Sequence, residues 1–396
     1  MSAHSNDHSV RAEHERLNAV RVHRPGLELW SGSVDPEPNL FDAHVPPEQA
    51  RREHDRLVAA IESAGVEVHR LSDDLEAGDH LDALVAEYAT VPEAVDLDAM
   101  LDAWEPREKL GLVLSRARLE RHAGAATDLH VEAPVSNVFF QRDTTLVGDR
   151  GPVLCEMYEP VRRPEVPIVR RAWEAIGAEF AGEMSGEPLE GGEFLPAGEF
   201  ALLGVSAEVD GEEVVIRTSY DAGTRLLDSG AVGYDEVGLV RAPLAADRRL
   251  REEHGIDSRV MHLLGWCNIA AEGLAVVDAT LARHATVDVY ARDGETYTLD
   301  RSTTTLDYLE EQGYDVVDVS PTERWPTNFL AVDDGRVVPL YEPDADGAYR
   351  PENNPTIERL KERGVEVLPD GEGIPRAALT NGAGGIHCMT TPLSRG

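Results

Sequence analysis

Apolar residues in this chain follow two alternating periods, and the alternation repeats along the sequence. A stretch with apolar positions every three or four residues, such as RLVAAIESAG, leads through a glycine into a strand-like run, such as VEVHRL ending at Leu71. Glycine suits the end of a helix, where the backbone turns left-handed. The same pattern returns around Gly177, Gly230, Gly313 and Gly364, which predicts five related units.

A pair of strand-like runs joined by turn residues precedes each unit. Examples are NVFFQRDTTLVGDRGPVLCEM, which begins at Asn137, and NFLAVDDGRVVPLY, which begins at Asn328. A strand pair, a helix and a strand cannot bury their apolar faces alone. We therefore predict an α/β fold in which five ββαβ units form a pseudo-symmetric five-bladed propeller. Side chains at the strand openings would then converge on one central site.

Two segments lie outside this repeat. Residues 75–128 separate the first unit from the second by a charged stretch rich in alanine and leucine, which predicts a small helical insert with a solvated face. Residues 1–16 are polar and predict a disordered N-terminus. Residues 17–396 are then expected to form one propeller domain that contains the insert.

The charge of the chain is strongly acidic, with 74 Asp and Glu residues against 37 Lys and Arg residues and a formal net charge of −37. Molar salt screens the self-repulsion of such a surface, because the Debye length there falls to about 3 Å. We therefore expect a cytoplasmic protein of a halophile. Nucleic acid is not an expected partner, since its phosphates are bound by clustered Lys and Arg. A small cationic substrate would be attracted.

The three cysteines, Cys155, Cys267 and Cys388, are too few and too scattered for a disulfide framework, and none forms the CxxC pair of a zinc site. The N-terminus lacks the apolar core of a signal peptide, and no run approaches the roughly 18 apolar residues of a membrane span. These features predict a protein of a reducing compartment without a membrane partner. They leave open whether it forms a homo-oligomer.

Four polar residues at strand openings and in a glycine-rich loop are candidates for chemistry. Cys388 follows TNGAGGIH, where a thiol can be accessible and activated, although a lone cysteine is often a small buried apolar residue. Asp143 ends NVFFQRD and Glu190 opens EGGE, where each could also serve a turn or an ion pair. His262 in RVMHLLGWCN could also be a core histidine. Together they suit a flat cation with an electrophilic carbon.

The motifs NVFFQRD, LEGGEF, RVMHL and GGIHCMT, in this order, resemble those of arginine deiminases in the amidinotransferase superfamily, and the likeness runs from residue 17 to residue 395. The resemblance implies hydrolysis of L-arginine to L-citrulline and ammonia without a metal or an organic cofactor. It implies that Cys388 forms a covalent thiouronium and that His262 transfers protons, while Asp143 and Glu190 bind the guanidinium. It further implies substrate contacts from Asn137, Phe140, Arg162 and Arg217.

Two positions depart from the family pattern. Leu264 replaces the aspartate that the family carries two residues after the histidine, and Ala383 replaces an arginine five residues before the cysteine. These changes keep three alternatives open. They are a hydrolase of a modified guanidine such as dimethylarginine, an amidinotransferase, and a guanidine sensor without turnover. Cys267 lies close to His262 in sequence, but we expect it to be structural because it lacks a glycine loop.

Overall fold

The computed structural model describes residues 8–88, 96–121, 127–131, 133–294 and 296–396. Its α-helices are, in chain order, α1 (Leu27–Val34), α2 (Pro47–Ser63), α3 (Leu71–Ala77), α4 (Leu81–Tyr88), α5 (Leu97–Ala103), α6 (Pro106–Ser115), α7 (Glu165–Ala175), α8 (Tyr220–Ser229), α9 (Leu244–His254), α10 (Ala279–His284), α11 (Thr305–Glu311) and α12 (Pro355–Glu362).

Its β-strands are, in chain order, β1 (Leu17–Val22), β2 (Glu67–Arg70), β3 (Ala117–Arg121), β4 (Thr127–Val131), β5 (Thr145–Gly148), β6 (Gly151–Leu154), β7 (Gly182–Glu183), β8 (Phe194–Pro196), β9 (Phe200–Val205), β10 (Ala207–Val209), β11 (Glu212–Val214), β12 (Glu236–Arg241), β13 (Cys267–Ala271), β14 (Leu274–Val277), β15 (Thr286–Asp293), β16 (Thr296–Thr304), β17 (Asp315–Asp318), β18 (Leu330–Asp333), β19 (Arg336–Val338), β20 (Leu340–Tyr341), β21 (Glu366–Val367), β22 (Ile374–Pro375) and β23 (Thr391–Arg395).

The sheets repeat one strand order, in which an antiparallel pair is extended by a parallel strand that follows a helix. This order appears in β5–β6–β7, β13–β14–β17 and β18–β19–β21. It also appears in β8–β9–β12, which β15 and β16 extend to five strands. In the remaining copy, β23 pairs antiparallel with β1, and β1 pairs parallel with β2. Among the described strands, four units therefore contain the predicted strand pair and the later strand, whereas the first unit lacks the predicted hairpin because the C-terminal β23 is the antiparallel partner of β1.

Helix α8 shows how the sequence encodes the helix of a unit. The side chain of Ser219 accepts a hydrogen bond from the backbone N–H of Ala222 at the first turn. Gly230 ends the helix with φ of +67°, a left-handed conformation that glycine adopts without a Cβ penalty. Between these ends Leu226 and Leu227 are buried against the sheet. The segment AEVDGEEVV just before α8 forms the antiparallel β10–β11 hairpin.

Apolar cores lie on both faces of the five-stranded sheet. Along β9, Ala201 and Leu203 pack into one apolar cluster, while Leu202 packs into another. A strand buried on both faces explains why its sequence is a continuous apolar run instead of an alternating one. Cys155 and Cys267 are buried in these two clusters, as expected for structural cysteines.

The helical segment differs in extent from the predicted insert at residues 75–128. Helices α3 to α6 lie between β2 and β3 and pack around a separate apolar cluster that includes Leu75, Leu84 and Leu110. The helices end at residue 115, and residues 117–121 pair with 127–131 as the antiparallel β3–β4 hairpin. The alanine- and leucine-rich composition ends before this hairpin, so the helical period does not reach residue 128. Residues 89–95 and 122–126 of the predicted insert lie outside the described residues.

The N-terminal segment also differs from the disorder predicted for residues 1–16. Val10 is fully buried and donates its backbone N–H to the carbonyl oxygen of Gly148 at 3.0 Å. Glu13 is equally buried and accepts hydrogen bonds from Arg142 and Arg395. Partners more than a hundred residues away anchor this segment, and local composition cannot reveal them. Residues 1–7 lie outside the described residues.

No helix within the described ranges combines the length and the apolar character that crossing a lipid bilayer requires.

Candidate active site

A small pocket of about 30 Å³ brings together most of the candidate residues. Seven of the eight predicted site residues line it, and they are Asn137, Phe140, Asp143, Arg162, Arg217, His262 and Cys388. The eighth, Glu190, is buried beside the pocket and bonds to His262. Leu40, Met261, Gly382, Ala383 and Gly384 complete the lining. Residues between positions 40 and 388 of the sequence thus meet at one place.

The loop before Cys388 depends on its glycines for close packing. A Cβ on Gly384 would lie 2.5 Å from the ring of Phe140, and one on Gly382 would lie 2.9 Å from the ring of Phe139. A Cβ on Gly385 would lie 2.6 Å from the amide oxygen of Asn328. Because real Cβ atoms do not approach so closely, only glycine lets the loop lie flat against these side chains.

Asn328 holds the cysteine in place and was not among the predicted site residues. Its side-chain oxygen accepts the backbone N–H of His387 at 2.9 Å, and its Nδ2 donates to the Sγ of Cys388 at 3.2 Å. The backbone N–H of Arg142 donates to the carbonyl oxygen of Cys388 at 3.1 Å. Asn328 opens the apolar run NFLAV, and its position at a strand opening was the available signal.

Cys388 is a protonated thiol at neutral pH in this structure. Burial, as the largest influence, and the charge of Asp143 raise its pKa to about 11, while the hydrogen bond from Asn328 acts in the opposite direction. A thiolate is the reactive form of cysteine. A positive charge in the pocket would favour the thiolate form of Cys388.

His262 lies between two buried carboxylates. Its Nε2 is 2.9 Å from Oε2 of Glu190, and its Nδ1 is 3.9 Å from Oδ1 of Asp143. Burial is the largest influence on this histidine and opposes its charged form, but Asp143 and Glu190 outweigh it and raise the pKa of His262 above 6.5. The two carboxylates therefore favour the protonated form of His262, from which a proton can be donated.

The two carboxylates have different surroundings. Asp143 binds Arg162 through Oδ2, at 2.6 Å from Nη1, while its buried Oδ1 has no hydrogen-bond partner among the described residues. Although burial is the largest influence, His262 and Arg162 lower the pKa of Asp143 below its usual value. Glu190 accepts the backbone N–H of Tyr158 at 3.0 Å through Oε1. Asp143 therefore offers an ionised oxygen to a cation in the pocket.

Two arginines line the pocket and already bind carboxylates. Arg162 makes two bonds of 2.9 Å to Glu165 in addition to its bond to Asp143. Arg217 donates to Glu159 at 2.8 Å, and its Nε is 3.8 Å from Oε2 of Glu190. Both guanidinium groups are thus held in fixed positions at the pocket wall.

The two departures from the family pattern have structural consequences. Leu264 is fully buried in an apolar cluster, so no carboxylate can face the pocket from that position. Glu193 accepts the backbone N–H of Leu263 at 2.6 Å, and its carboxylate occupies space that a Cβ on Gly204 would fill. Burial, which is the largest influence, raises the pKa of Glu193 to about 7. Ala383 lines the pocket with a methyl group.

Asp143, Glu190 and His262 are the group in this site that could ligate a metal ion, since each offers an atom within 4.8 Å of the others. A metal requires a neutral histidine, and the raised pKa of His262 makes a proton compete for that nitrogen. The same two carboxylates can instead bind a flat organic cation by hydrogen bonds. The donor set therefore suits a guanidinium at least as well as a metal.

Comparison with known proteins supports the resemblance seen in the motifs. A family model described as arginine deiminase matches residues 320–395, which include Asn328 and Cys388. The arginine deiminase of Halobacterium salinarum is 35% identical to this chain, and the match covers 97% of this chain and 96% of that protein.

Solved structures show the same mixed α/β fold. The N-terminal domain of ArgZ, covalently bound to a reaction intermediate, matches with a TM-score of 0.55 and 13% identity over 95% of this chain and 98% of that one. A mutant of DDAH from Pseudomonas aeruginosa, complexed with citrulline, matches with a TM-score of 0.54 and 12% identity over the same shares of the two chains. Identities this low establish only the fold, whereas the similarity to the Halobacterium enzyme extends over nearly the whole sequence. The chain therefore belongs to the arginine deiminase family.

Proposed function

We propose that this chain hydrolyses the guanidinium group of L-arginine to L-citrulline and ammonia through a covalent intermediate on Cys388. The observation that carries the proposal is the meeting of Cys388, His262 and Asp143 at one pocket, where the pKa of the histidine is raised and that of the aspartate is lowered. A nucleophile, a proton donor and an anion to hold the substrate are the groups that this reaction needs.

The substrate cation activates the nucleophile in this mechanism. The free Oδ1 of Asp143 accepts N–H bonds of the guanidinium, and Glu190 faces it from beside His262. These bonds localise the positive charge and make the central carbon electrophilic. The charge also favours the thiolate of Cys388, whose proton leaves to solvent as the cation binds.

His262 then acts first as an acid and second as a base. The sulfur of Cys388 forms a bond to the guanidinium carbon, His262 gives its proton to one terminal nitrogen, and the C–N bond breaks to release ammonia. Water attacks the resulting thiouronium and loses a proton to His262. The C–S bond breaks, the sulfur leaves as thiolate, and the protonated ureido group loses a proton.

The remaining pocket residues hold the rest of the substrate in this proposal. Phe140 packs against its aliphatic chain, and Arg162 and Arg217 bind its carboxylate. Asn137 supports this wall, because its Nδ2 donates to the carbonyl oxygen of Asn39 at 2.8 Å, next to the pocket residue Leu40. For Arg162, binding a carboxylate requires an exchange of partners, since Asp143 and Glu165 now surround it.

The proposal also includes the fold of the catalytic domain and the compartment in which the protein works. Residues 17–396 form the catalytic domain as a five-bladed propeller closed by the β1–β23 pairing, and the helices between β2 and β3 are an insert in it. We assign the protein to the cytoplasm of a salt-rich cell, on the strength of its net charge of −37.

The decisive experiment measures citrulline formed from arginine in molar salt by the full chain, with Cys388→Ser as the control. Turnover by the parent and none by the serine variant is the expected result. A stopped reaction should also carry a covalent adduct on the C-terminal peptide that contains Cys388. Equal citrulline from parent and variant would exclude the mechanism.

A second candidate function is the same hydrolysis with a modified guanidine in place of arginine, and the position of Ala383 favours it. The methyl group of Ala383 lines the pocket where the family carries an arginine, so one cation for a substrate carboxylate is absent at that position. Dimethylarginine and amine acceptors such as glycine should be tested beside arginine. Product masses distinguish hydrolysis from amidino transfer, and thermal stabilisation without product would indicate a sensor.

A further inference from the structure

The side chain of Arg259 joins two segments of the chain that each carry a part of the candidate active site. The histidine segment, residues 259–268, contains His262. The asparagine segment, residues 320–329, contains Asn328, the residue that donates to the sulfur of the pocket cysteine. Arg259 is buried and is not among the described residues that line the pocket. It can therefore influence the pocket only through the segments that it joins.

The guanidinium of Arg259 uses its two terminal nitrogens for different partners. Nη1 donates to Oδ2 of Asp278 at 2.6 Å. Nη2 donates to the carbonyl oxygens of Ser320 and Pro321, at 3.1 Å each, and of Glu323, at 2.7 Å. A planar fork of donors can bridge a carboxylate and a bent run of carbonyls, whereas the single ammonium of a lysine cannot match both. Arg259 therefore holds the beginning of the asparagine segment in one place.

The backbone of Arg259 is anchored as firmly as its side chain. Its N–H donates to Oδ1 of Asp247 on α9 at 3.0 Å. A Cβ on Gly265 would lie 2.3 Å from the carbonyl oxygen of Arg259, so the histidine segment folds back on itself in a tight loop that contains His262. The N–H of Gly265 donates to the carbonyl oxygen of His262 at 3.0 Å. A displacement of Arg259 would therefore shift the backbone that carries the imidazole.

Two further side chains join the same segments closer to the pocket. The hydroxyl of Thr327 donates to the carbonyl oxygen of Leu264 at 3.1 Å, and both residues are fully buried. Nδ2 of Asn268 donates to the carbonyl oxygens of Thr327 and Phe329 at 2.7 and 3.0 Å, on either side of Asn328. The two segments therefore form one hydrogen-bonded unit, with Arg259 at the end away from Asn328.

The backbone of the asparagine segment is strained between Arg259 and Asn328. Trp325 has φ of +58°, a left-handed conformation that is uncommon for a bulky residue. Its carbonyl oxygen accepts the backbone N–H of Asn328 at 3.1 Å, so the strained turn leads directly into the residue that holds the sulfur. Such strain persists where surrounding contacts hold it, and it is concentrated at functional sites. The bonds from Nη2 of Arg259 supply contacts of this kind just ahead of Trp325.

We propose that Arg259 is a positioning residue that holds the imidazole of His262 and the sulfur of Cys388 at the separation that their reaction needs. The inference rests on the hydrolysis proposed above, in which the histidine protonates a nitrogen on the carbon that the sulfur attacks. The histidine lies on one segment, and the sulfur is held by the other segment through Asn328. A misplacement of about 1 Å between reacting groups can lower a rate about a hundredfold. A support that fixes both segments therefore controls the rate without touching the substrate.

The test compares Arg259→Lys with Arg21→Lys in molar salt. Arg21 is the matched control, because it is also buried and binds an aspartate, Asp74, at 2.7 Å and a carbonyl oxygen, that of Ala172, at 2.9 Å. Arg259→Lys should lower kcat for citrulline formation by about 10–100-fold and change KM by less than about threefold, since the proposed substrate-binding groups lie outside both segments. Arg21→Lys should change kcat by less than about threefold, and denaturant unfolding measures the stability of both variants.

A second readout does not require turnover and so separates this proposal from the proposed function. The rate of iodoacetamide labelling of Cys388 is measured against pH in the parent, Arg259→Lys, Asn328→Ala and the double variant. Arg259→Lys should move the labelling curve to higher pH, because a displaced Asn328 donates less well to the sulfur. It should have less than about a twofold effect on labelling once Asn328 is alanine, because the two changes act through one hydrogen bond.

The two readouts fail in different ways. A parent that makes no citrulline but shows this labelling pattern would reject the proposed function and retain the positioning role. An unshifted labelling curve in folded Arg259→Lys would overturn the positioning role even if the parent makes citrulline. Equal losses of kcat in Arg259→Lys and Arg21→Lys would also overturn it, because lost stability would then explain both.

Thr327→Val provides a second variant if Arg259→Lys does not fold. It removes the hydroxyl that bonds to the carbonyl oxygen of Leu264, and it should lower kcat by about threefold to tenfold. Thr327→Ser keeps the hydroxyl and should restore kcat to within about twofold of the parent. Full turnover in Thr327→Val, or no recovery in Thr327→Ser, would contradict the proposed coupling of the two segments.

Discussion

Two buried histidines near the thiol of Cys388 have similar carboxylate partners but opposite tendencies to bind a proton. Nε2 of His262 is 2.9 Å from Glu190, and Nε2 of His387 is 3.0 Å from Glu13. The pKa of His262 is raised, whereas the pKa of His387 is lowered to about 4. The length of the hydrogen bond therefore does not decide whether a buried histidine is charged.

The difference comes from the neighbours beyond the first partner. Burial, the largest influence, and the charge of Arg142 both lower the pKa of His387, and Arg395 adds to this effect. Glu13 is shared among these cations, with 2.8 Å to Arg395 and 3.4 Å to Arg142. His262 instead has acidic neighbours. One site holds a histidine that can transfer a proton, and the other holds a neutral histidine that only links segments.

The largest expected effect is the difference in turnover when each histidine is replaced. His262→Asn should lower kcat for citrulline formation by about 10²–10⁴, the usual contribution of a general acid or base. His387→Asn should lower it by less than about tenfold, because a neutral hydrogen bond can be replaced. Comparable losses in the two variants would contradict the assigned difference.

The next prediction concerns the stability that Glu13, the carboxylate partner of His387, gives to the fold. Glu13→Gln leaves Arg142 and Arg395 buried without their carboxylate, and it should lower the free energy of unfolding by about 3–5 kcal/mol. Denaturant unfolding in constant molar salt measures the loss. The control is Glu199→Gln, which removes an exposed partner of Arg11 and should change stability by less than about 1 kcal/mol.

The pH dependence of stability should separate the histidines by sign. His262 has a raised pKa in the folded state, so its stabilisation is present below 6.5 and is lost as the pH rises through the raised value. His387 has a lowered pKa, so the unfolded chain binds its proton first and stability is lost as the pH falls from 6.5 toward 4. Unfolding free energies across pH should show each slope disappear in the corresponding asparagine variant. If neither replacement changes the slope of the unfolding free energy against pH, the charge states assigned to His262 and His387 are wrong.

Local sequence predicted the residues that a short motif presents and failed for those that distant segments bring together. Cys388 and His262 are recognisable because the surrounding patterns, GGIHCMT and RVMHL, contain them. Glu13 lies in a polar segment without any pattern, and only its contacts with Arg142 and Arg395 explain its burial. The hairpins and the helix and strand that follow them were likewise predictable, because these elements are local, whereas the pairing of β1 with β23 and the extension of one sheet by β15 and β16 were not predicted.

Which face of α1 is buried could not be predicted from the sequence, for a related reason. In the segment LELWSGSV, the apolar positions indicate a helix but not which face is buried. That choice depends on Ser136 and Val45, which contact Gly32 and Ser33 from other segments. A periodic pattern identifies a stripe, whereas tertiary partners decide whether the stripe faces the core or the solvent.

The smallest expected effect comes from replacing Asn328, which forms hydrogen bonds with both His387 and Cys388. It accepts the backbone N–H of His387 and donates to the sulfur of Cys388, and this donation favours the thiolate. Asn328→Ala should therefore raise the pKa of Cys388 further and slow its alkylation at a fixed alkaline pH by less than about tenfold. The rate of iodoacetamide labelling against pH measures the shift. The control is Asn381→Ala. Asn381 lies on the same loop as Cys388 and donates to the carbonyl oxygen of His44, so its replacement should leave the thiol pKa unchanged. If both variants shift the labelling curve equally, loop disorder and not the lost hydrogen bond controls the thiol.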